Sequence, residues 1–199
     1  MKQTTLITIA NTKGGSGKTT SAICIATALA GQFTVEVWDA DPQASATEWA
    51  DLASEAGTPL PFAVEIVNRS RIQRIRQQTT ADYVLIDTPP GDPQMIDAAI
   101  AAADLVILPT AATAMDLERT VQTAANIPDH ILAVALITRT NKQTRSYREA
   151  MEFLHNNDDM AAFNTGITNR EAIHHTYGFR PPIFHEYSAV TDQILEIFQ

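Results

Sequence analysis

Seven short apolar, β-rich runs recur along this chain, each followed by a segment long enough for a helix, and no other feature constrains the fold as tightly. The runs are "TLITIA" (5–10), "TVEVW" (34–38), "FAVEIV" (62–67), "YVLIDT" (83–88), "DLVILP" (104–109), "ILAVALIT" (131–138) and "MAAF" (160–163). Several are continuously apolar, the pattern of parallel strands covered on both faces. Helices are expected at 18–30, 42–56, 70–78, 93–103, 116–126, 144–156 and 169–177, with a closing helix at 187–198. Alternation of this kind predicts an α/β fold, a doubly wound, mostly parallel sheet flanked by helices. No internal repeat, low-complexity tract or linker divides the 199 residues, so one domain over 1–199 is expected. Ligands of such sheets sit at the carboxyl ends of the strands, so the chemistry is sought there.

The first strand runs directly into Asn11-Thr12-Lys13-Gly14-Gly15-Ser16-Gly17-Lys18-Thr19-Thr20 and then into the apolar helix "SAICIATALA". Strand, glycine-rich loop and helix form the context of a phosphate-binding loop. Gly14, Gly15 and Gly17 let backbone N–H groups turn inward around phosphate oxygens, with Ser16 between them, and the helix starting near Lys18 points its positive end the same way. Lys18 is expected on the β- and γ-phosphates, Thr19 on Mg²⁺ and Thr20 on the α-phosphate of ATP. The strict pattern G-x-x-x-x-G-K-[ST] asks for glycine at position 12, where this chain has Thr12, followed by a second lysine, Lys13. Two further strands end in acids: "VEVWDADPQ" supplies Asp39 and Asp41, and "YVLIDTPPG" supplies Asp87. A lone aspartate there is an ordinary helix cap. Three acids beside one phosphate loop are expected to serve magnesium or its bound waters instead, with Asp39 and Asp87 on the metal side.

"KGGSGKTT", "DADPQ" and "VLIDTPPG" together resemble the deviant Walker A, Walker A′ and Walker B motifs of the ParA/MinD superfamily of dimeric P-loop ATPases. That superfamily leaves the position before the first lysine variable outside its MinD and nitrogenase-reductase branches, so Thr12 departs from the general P-loop pattern but not from the ParA one. The resemblance spans nearly the whole chain and weakens after residue 140. It implies that Lys13 crosses into the partner of an ATP-dependent homodimer and touches its phosphates. It also implies that Asp41 orients the attacking water.

Branches of the superfamily separate on what the chain carries. Cysteine-ligated cluster carriers need paired cysteines, and Cys24 is the sole cysteine, which also excludes intramolecular disulfides. MinD-type proteins end in a basic amphipathic helix, whereas "SAVTDQILEIFQ" has acids and no lysine or arginine after Arg180, so no membrane anchoring is expected. The first strand begins within a few residues of Met1, so no N-terminal helix-turn-helix domain is expected. The chain therefore resembles small plasmid-type ParA proteins of the ParF sort, and "LPTAATAMDLERT" and "AFNTGITNREAI" resemble their corresponding segments. The former departs from the usual proline-containing form at Ala114. The resemblance implies a cytoplasmic, nucleoid-associated ATPase with weak hydrolysis stimulated by a ParB-like centromere-binding partner, and nonspecific DNA binding by the ATP dimer.

Net charge of -9 argues against a generic nucleic-acid binder, yet eight of the 14 basic residues fall in two short segments. These are Arg69, Arg71, Arg74 and Arg76, then Arg139, Lys142, Arg145 and Arg148. Solvated helix faces and a DNA-contacting patch both accommodate them. Arg145 and Arg148, at i and i+3, would share a face with Lys142 nearby. Thr138 and Arg139 stand where related proteins contact adenine, with "RPPIFHEY" (180–187) resembling the loop over the base; an arginine used there is not free for DNA. His174, His175, Trp38 and Trp49 read as structural residues. Two other functions use the same chemistry or fold: positioning of a protein cargo, and a small-molecule ligase of the dethiobiotin-synthetase type, which needs neither Lys13 nor the basic clusters.

Overall fold

The computed structural model describes residues 4–157 and 160–198. Seven strands, β1 (Thr5–Ile9), β2 (Val35–Asp39), β3 (Ala63–Ile66), β4 (Tyr83–Asp87), β5 (Leu105–Thr110), β6 (Leu132–Ile137) and β7 (Ala161–Ala162), form one sheet in the order β3-β2-β4-β1-β5-β6-β7. Every pairing is parallel. The expected mostly parallel sheet is thus parallel throughout, because each return crosses over through helical or turn structure.

The helices are α1 (Lys18–Leu29), α2 (Ser45–Glu55), α3 (Arg69–Ile72), α4 (Pro93–Ala102), α5 (Ala114–Ala124), α6 (Arg145–His155), α7 (Glu171–His174) and α8 (His185–Ile197). Side-chain alternation along the strands divides the core. Ile7, Ile9, Leu85 and Ile107 pack with residues of α1, α2 and α8 on one face. Leu6, Val84 and Ile86 pack with α3 and α4 on the other, and Val106, Leu108 and Ile137 with α4, α5 and α6. Thr8 also points to that second face, where its hydroxyl donates to Ala99 O and so satisfies the one polar group β1 buries there.

Two expected helices are shorter than the periodicity predicts. The segment 70–78 is α3 followed by a 3₁₀ turn, Ile75–Gln77, hinged at Arg74. The segment 169–177 keeps only the four residues of α7, because Thr140–Thr168 bridging holds its start extended and Gly178, at φ +80°, turns the chain after it. The arginines of the first segment are fastened to the fold. Arg71 pairs with Glu65 and lies 4.7 Å over the Trp38 ring, while Arg76 binds Asp104 at 2.6 Å. Arg69 donates to Gln94, and Arg74 donates to Ser70 within its own segment.

Candidate functional site

Register brings the candidate acids together before any side chain is considered. Asp87 at the end of β4 pairs with Ile9 on one side and Asp39 on the other, so the exits of β1, β4 and β2 lie level. The chain leaving β1 is then folded by its own side chains: Asn11 donates to Pro109 O, and its Oδ1 accepts the Lys13 N–H at 2.7 Å. Gly15 and Gly17 take φ of +72° and +92°, values that a Cβ would strain. Thr138, at the end of β6, donates its hydroxyl to Ser16 O at 2.8 Å and packs against Gly17.

Helix α1 has Gly17 at its N-cap and no side-chain cap. Helices α4, α5 and α6 begin with caps from Asp92, Thr113 and Thr144, while α2, α7 and α8, like α1, begin without one; α1 alone opens from the glycine-rich loop. Side-chain caps are worth about 1 kcal/mol each, so the missing one leaves the first-turn N–H groups of α1 turned toward the loop, the arrangement of an anion site. Lys18, 6 % exposed, lies with its ammonium 3.3 Å from Lys13 O. Burial lowers its pKa while the Asp87 and Asp41 charges raise it, as suits an ammonium awaiting an anion. Ser16 Oγ is buried without a partner among the described residues.

Thr19 donates to Asp87 Oδ2 at 2.6 Å, while Asp87 Oδ1 is buried with no hydrogen bond among the described residues. Burial pushes the Asp87 carboxyl up to about 7, with Asp39 and Asp41 adding and the Thr19 bond and Lys18 opposing. A buried carboxylate oxygen without a partner, beside a hydroxyl and a phosphate loop, fits Mg²⁺. That ion keeps several waters and takes one or two protein ligands along with substrate phosphates. Among the described residues no three His, Cys, Asp or Glu side chains gather into a metal cage, in keeping with such sparse ligation.

Asp39 departs from the expected metal role. It is fully buried, and its carboxylate accepts the Asp41 N–H, the Thr47 N–H and the Thr47 hydroxyl at 2.9–3.1 Å. Its Oδ2 therefore fastens the start of α2 to the end of β2, while its Oδ1 holds the loop at Asp41. Asp41 is half-buried in the loop it thereby holds; its Oδ1 accepts from Gln43 N, and Ala44 closes the turn at φ +53°.

Lys13 does not project freely. Its ammonium lies 2.8 Å from Asp116 Oδ1 and 3.1 Å from Oδ2, and Thr113 donates to the same carboxylate at 2.7 Å. The Lys13 bond, followed by that of Thr113, holds the Asp116 carboxyl below the usual carboxylate range. Asp116 lies inside the segment "PTAATAMD", and only the fold reveals its role: 103 residues separate it from Lys13.

Beyond Gly17 and Thr20 opens a cleft of about 190 Å³, walled by Thr138 and Arg139 on one side and by Asn169, His174, Tyr177 and Trp49 on others. Arg139 takes φ +52° here. With Ala44 it is one of two non-glycine residues at positive φ among those described, and both border the site, where such strain concentrates. His174 Nε2 meets Asn169 Oδ1 at 2.8 Å, Trp49 donates to Phe179 O, and Tyr177 donates to Glu48 at 2.5 Å. Burial first, then Glu48, pushes the Tyr177 phenol up to about 12, keeping it a donor. Trp49 and His174 are thus wall residues as well as structural ones. Trp38 stays in the core, with its Nε1 on Glu36.

The second basic cluster lies at the start of α6. Lys142 donates to Thr165 and Arg145 to Glu149, at 2.7 and 2.6 Å. The exposed Arg148 side chain makes no hydrogen bond or ion pair among the described residues.

Residues 7–178 match the profile of the CobQ/CobB/MinD/ParA nucleotide binding domain. Maintenance of carboxysome distribution protein A of Gloeobacter kilaueensis is 36 % identical over 150 residues, covering 74 % of this chain and 68 % of that protein. Among solved structures, a Borrelia burgdorferi B31 protein assigned to plasmid partition, bound to AMPPNP, superposes with a TM-score of 0.74 at 23 % identity, covering 98 % of each chain. The septum site-determining protein MinD of Pyrococcus horikoshii OT3, complexed with Mg-ADP, gives 0.79 at 16 % identity, covering 98 % of this chain and 97 % of that one. At these identities the two structures establish the shared fold alone.

Proposed function

Since the chain belongs to the CobQ/CobB/MinD/ParA nucleotide-binding family of P-loop ATPases, we propose that it is a MgATP-hydrolysing partition or positioning ATPase that works as an ATP-dependent dimer. The observation that carries this reading is the uncapped start of α1 beside Lys18, with the unpartnered Asp87 oxygen and Thr19 at its edge.

In this reading the N–H groups of residues 14–20 and the Lys18 ammonium bind the triphosphate, and the nucleoside lies in the cleft between Arg139 and Tyr177. Thr138 acts first as a buttress of the loop and only secondarily as a wall of that cleft. Thr19 and Asp87 would hold Mg²⁺, which when bound supplies charge neutralisation for the phosphates. Asp41 orients the attacking water. Lys13 leaves Asp116 to reach the phosphates of a partner subunit, where a cation offsets the charge of the transferring group.

For cargo, the plasmid-partition reading takes nonspecific DNA as track and a ParB-like protein as stimulator, with Lys142, Arg145 and Arg148 as the DNA contacts. The resemblance to a carboxysome distribution protein supports a second reading, in which the same cycle positions a protein cargo. Sizing the purified protein with ATP, with ADP and without nucleotide tests the common core: a dimer is expected with ATP alone. Turnover with no added metabolite would exclude ligase chemistry on this fold.

A further inference from the structure

Helix α2 is fastened at two places. At its start Thr47 donates twice to Asp39, on the side of the sheet. On the opposite side the strap 176–179 lies across it: Tyr177 donates to Glu48, Trp49 donates to Phe179 O, and Gly178 packs on Leu52 so closely that a Cβ would sit 3.2 Å from the leucine Cβ. The Tyr177 and Trp49 rings lie 5.3 Å apart, and both also face the cleft next to Gly17 and Thr20. The loop carrying Asp41 enters α2 through Ala44, whose left-handed backbone is tolerated only while its surroundings hold it.

These contacts form a short continuous path from the nucleoside cleft to the loop of the water-orienting acid. We propose that Tyr177 is a positioning residue that transmits occupancy of the nucleoside cleft to Asp41, through its bond to Glu48 on α2. A base seated against Tyr177 and Trp49 orders the strap, the strap orders the first turns of α2, and α2 fixes the turn from Asp41 to Ala44. Phosphates alone fill the loop but leave this path loose, so the geometry favours nucleotides over inorganic polyphosphates in turnover as well as in binding. Misplacement of a water-positioning group by a fraction of an ångström is enough to slow a reaction substantially.

The inference rests on the nucleotide reading above, and its test uses readouts that separate the two. Tyr177→Phe keeps the ring and removes the hydroxyl; Glu48→Ala removes its acceptor at an exposed residue that no core contact requires. Each is expected to lower kcat for ATP about tenfold while ADP affinity stays within about twofold, and the double variant is expected to lose no more than either single one. Hydrogen exchange of the amides of residues 41–47 gives a readout independent of hydrolysis. ADP should slow it in the wild type, pyrophosphate should not, and ADP should fail to slow it in Tyr177→Phe. A wild-type protein that hydrolyses no ATP would sink the ATPase reading, and the exchange data would still decide the coupling. An unchanged kcat in Tyr177→Phe, losses that multiply in the double variant, or equal protection by ADP and pyrophosphate would each overturn it.

Discussion

The ammonium of Lys13 and the carboxylate of Asp116 meet at 2.8 Å across 103 residues of sequence, so the lysine at the mouth of the phosphate loop is held by its own chain. The partners are unequal: the Lys13 side chain is 53 % exposed and that of Asp116 11 %. An ion pair so open to water contributes at most about 1 kcal/mol. Asp116→Asn keeps an acceptor for Thr113 but releases the ammonium, so ATP-dependent dimerisation should occur at a two- to fivefold lower protein concentration, measured by sedimentation. Lys13→Ala should leave monomer ATP affinity unchanged and reduce turnover at least a hundredfold. Because its folded pKa is depressed, Asp116 contributes stability above its unfolded value, and that stability is lost as pH falls through the folded one. The pair is therefore intact at neutral pH. A Lys13→Ala protein with normal hydrolysis would remove Lys13 from the mechanism.

Asp87 titrates in the opposite sense. Burial raises its folded pKa to about 7, so the folded chain holds a proton that the unfolded chain has released, and stability without ligands falls as pH climbs from about 4 to 7. The full window corresponds to roughly 4 kcal/mol as an upper bound. Asp87→Asn has no charge to bury and keeps an acceptor for Thr19. Its Tm should exceed that of the ligand-free wild type at pH 8, by a margin that shrinks toward pH 5. Nucleotide binding by the same variant should lose its stimulation by Mg²⁺. A Tm difference independent of pH would show that Asp87 does not carry this proton.

Strand positions and the phosphate loop were legible because their signals are local: continuous apolar runs, and glycines between a strand and a helix. Residues that act across the fold were not. The pattern "DADPQ" marks two acids at a strand end but not that Asp39 turns back to Thr47 while Asp41 alone stays accessible. The cleft joins Gly17 to Thr138 and Trp49 to Tyr177, pairs separated by more than a hundred residues, and neither tryptophan spacing nor the helical period of 169–177 reports it. That segment's periodicity misleads because its apolar Ile173 packs into the core while its ends are held by a bridge and a glycine turn.

Asp41→Ala should separate binding from chemistry. Among the described residues its carboxylate is anchored only through Gln43 N, and the backbone turn that closes on Ala44 uses Asp41 O, so removing the side chain leaves the loop's main bond in place. Losing water positioning slows hydrolysis without removing phosphate or metal contacts. A long-lived ATP-bound dimer is expected in sizing experiments, with turnover reduced at least a hundredfold. A variant that stays monomeric with ATP would move Asp41 from chemistry to dimer assembly.

The last prediction concerns DNA, where the structure ranks three residues that sequence places together. Lys142 is tied to Thr165 and its pKa is lowered by burial, and Arg145 is tied to Glu149, so each must exchange a partner to reach a phosphate. Arg148 has no such partner to give up among the described residues. A chain of net charge -9 is repelled by duplex DNA at long range, but a dimer presents two patches and incurs the entropy of docking once. Binding should therefore appear with ATP, be absent with ADP and ignore base sequence. Each phosphate contact contributes about 0.9 to the slope of log K against log salt, so Arg148→Ala should lower the slope by roughly 1.8 per dimer. Arg145→Ala should lower it less, since Glu149 already competes for that guanidinium. Arg145→Ala/Arg148→Ala should retain ATP-dependent dimerisation. Fluorescence anisotropy on two unrelated duplexes across a salt series measures all of this. Equal binding in ADP and ATP, or preference for one duplex, would count against ATP-gated nonspecific binding, and a slope untouched by Arg148→Ala would count against α6 as its surface.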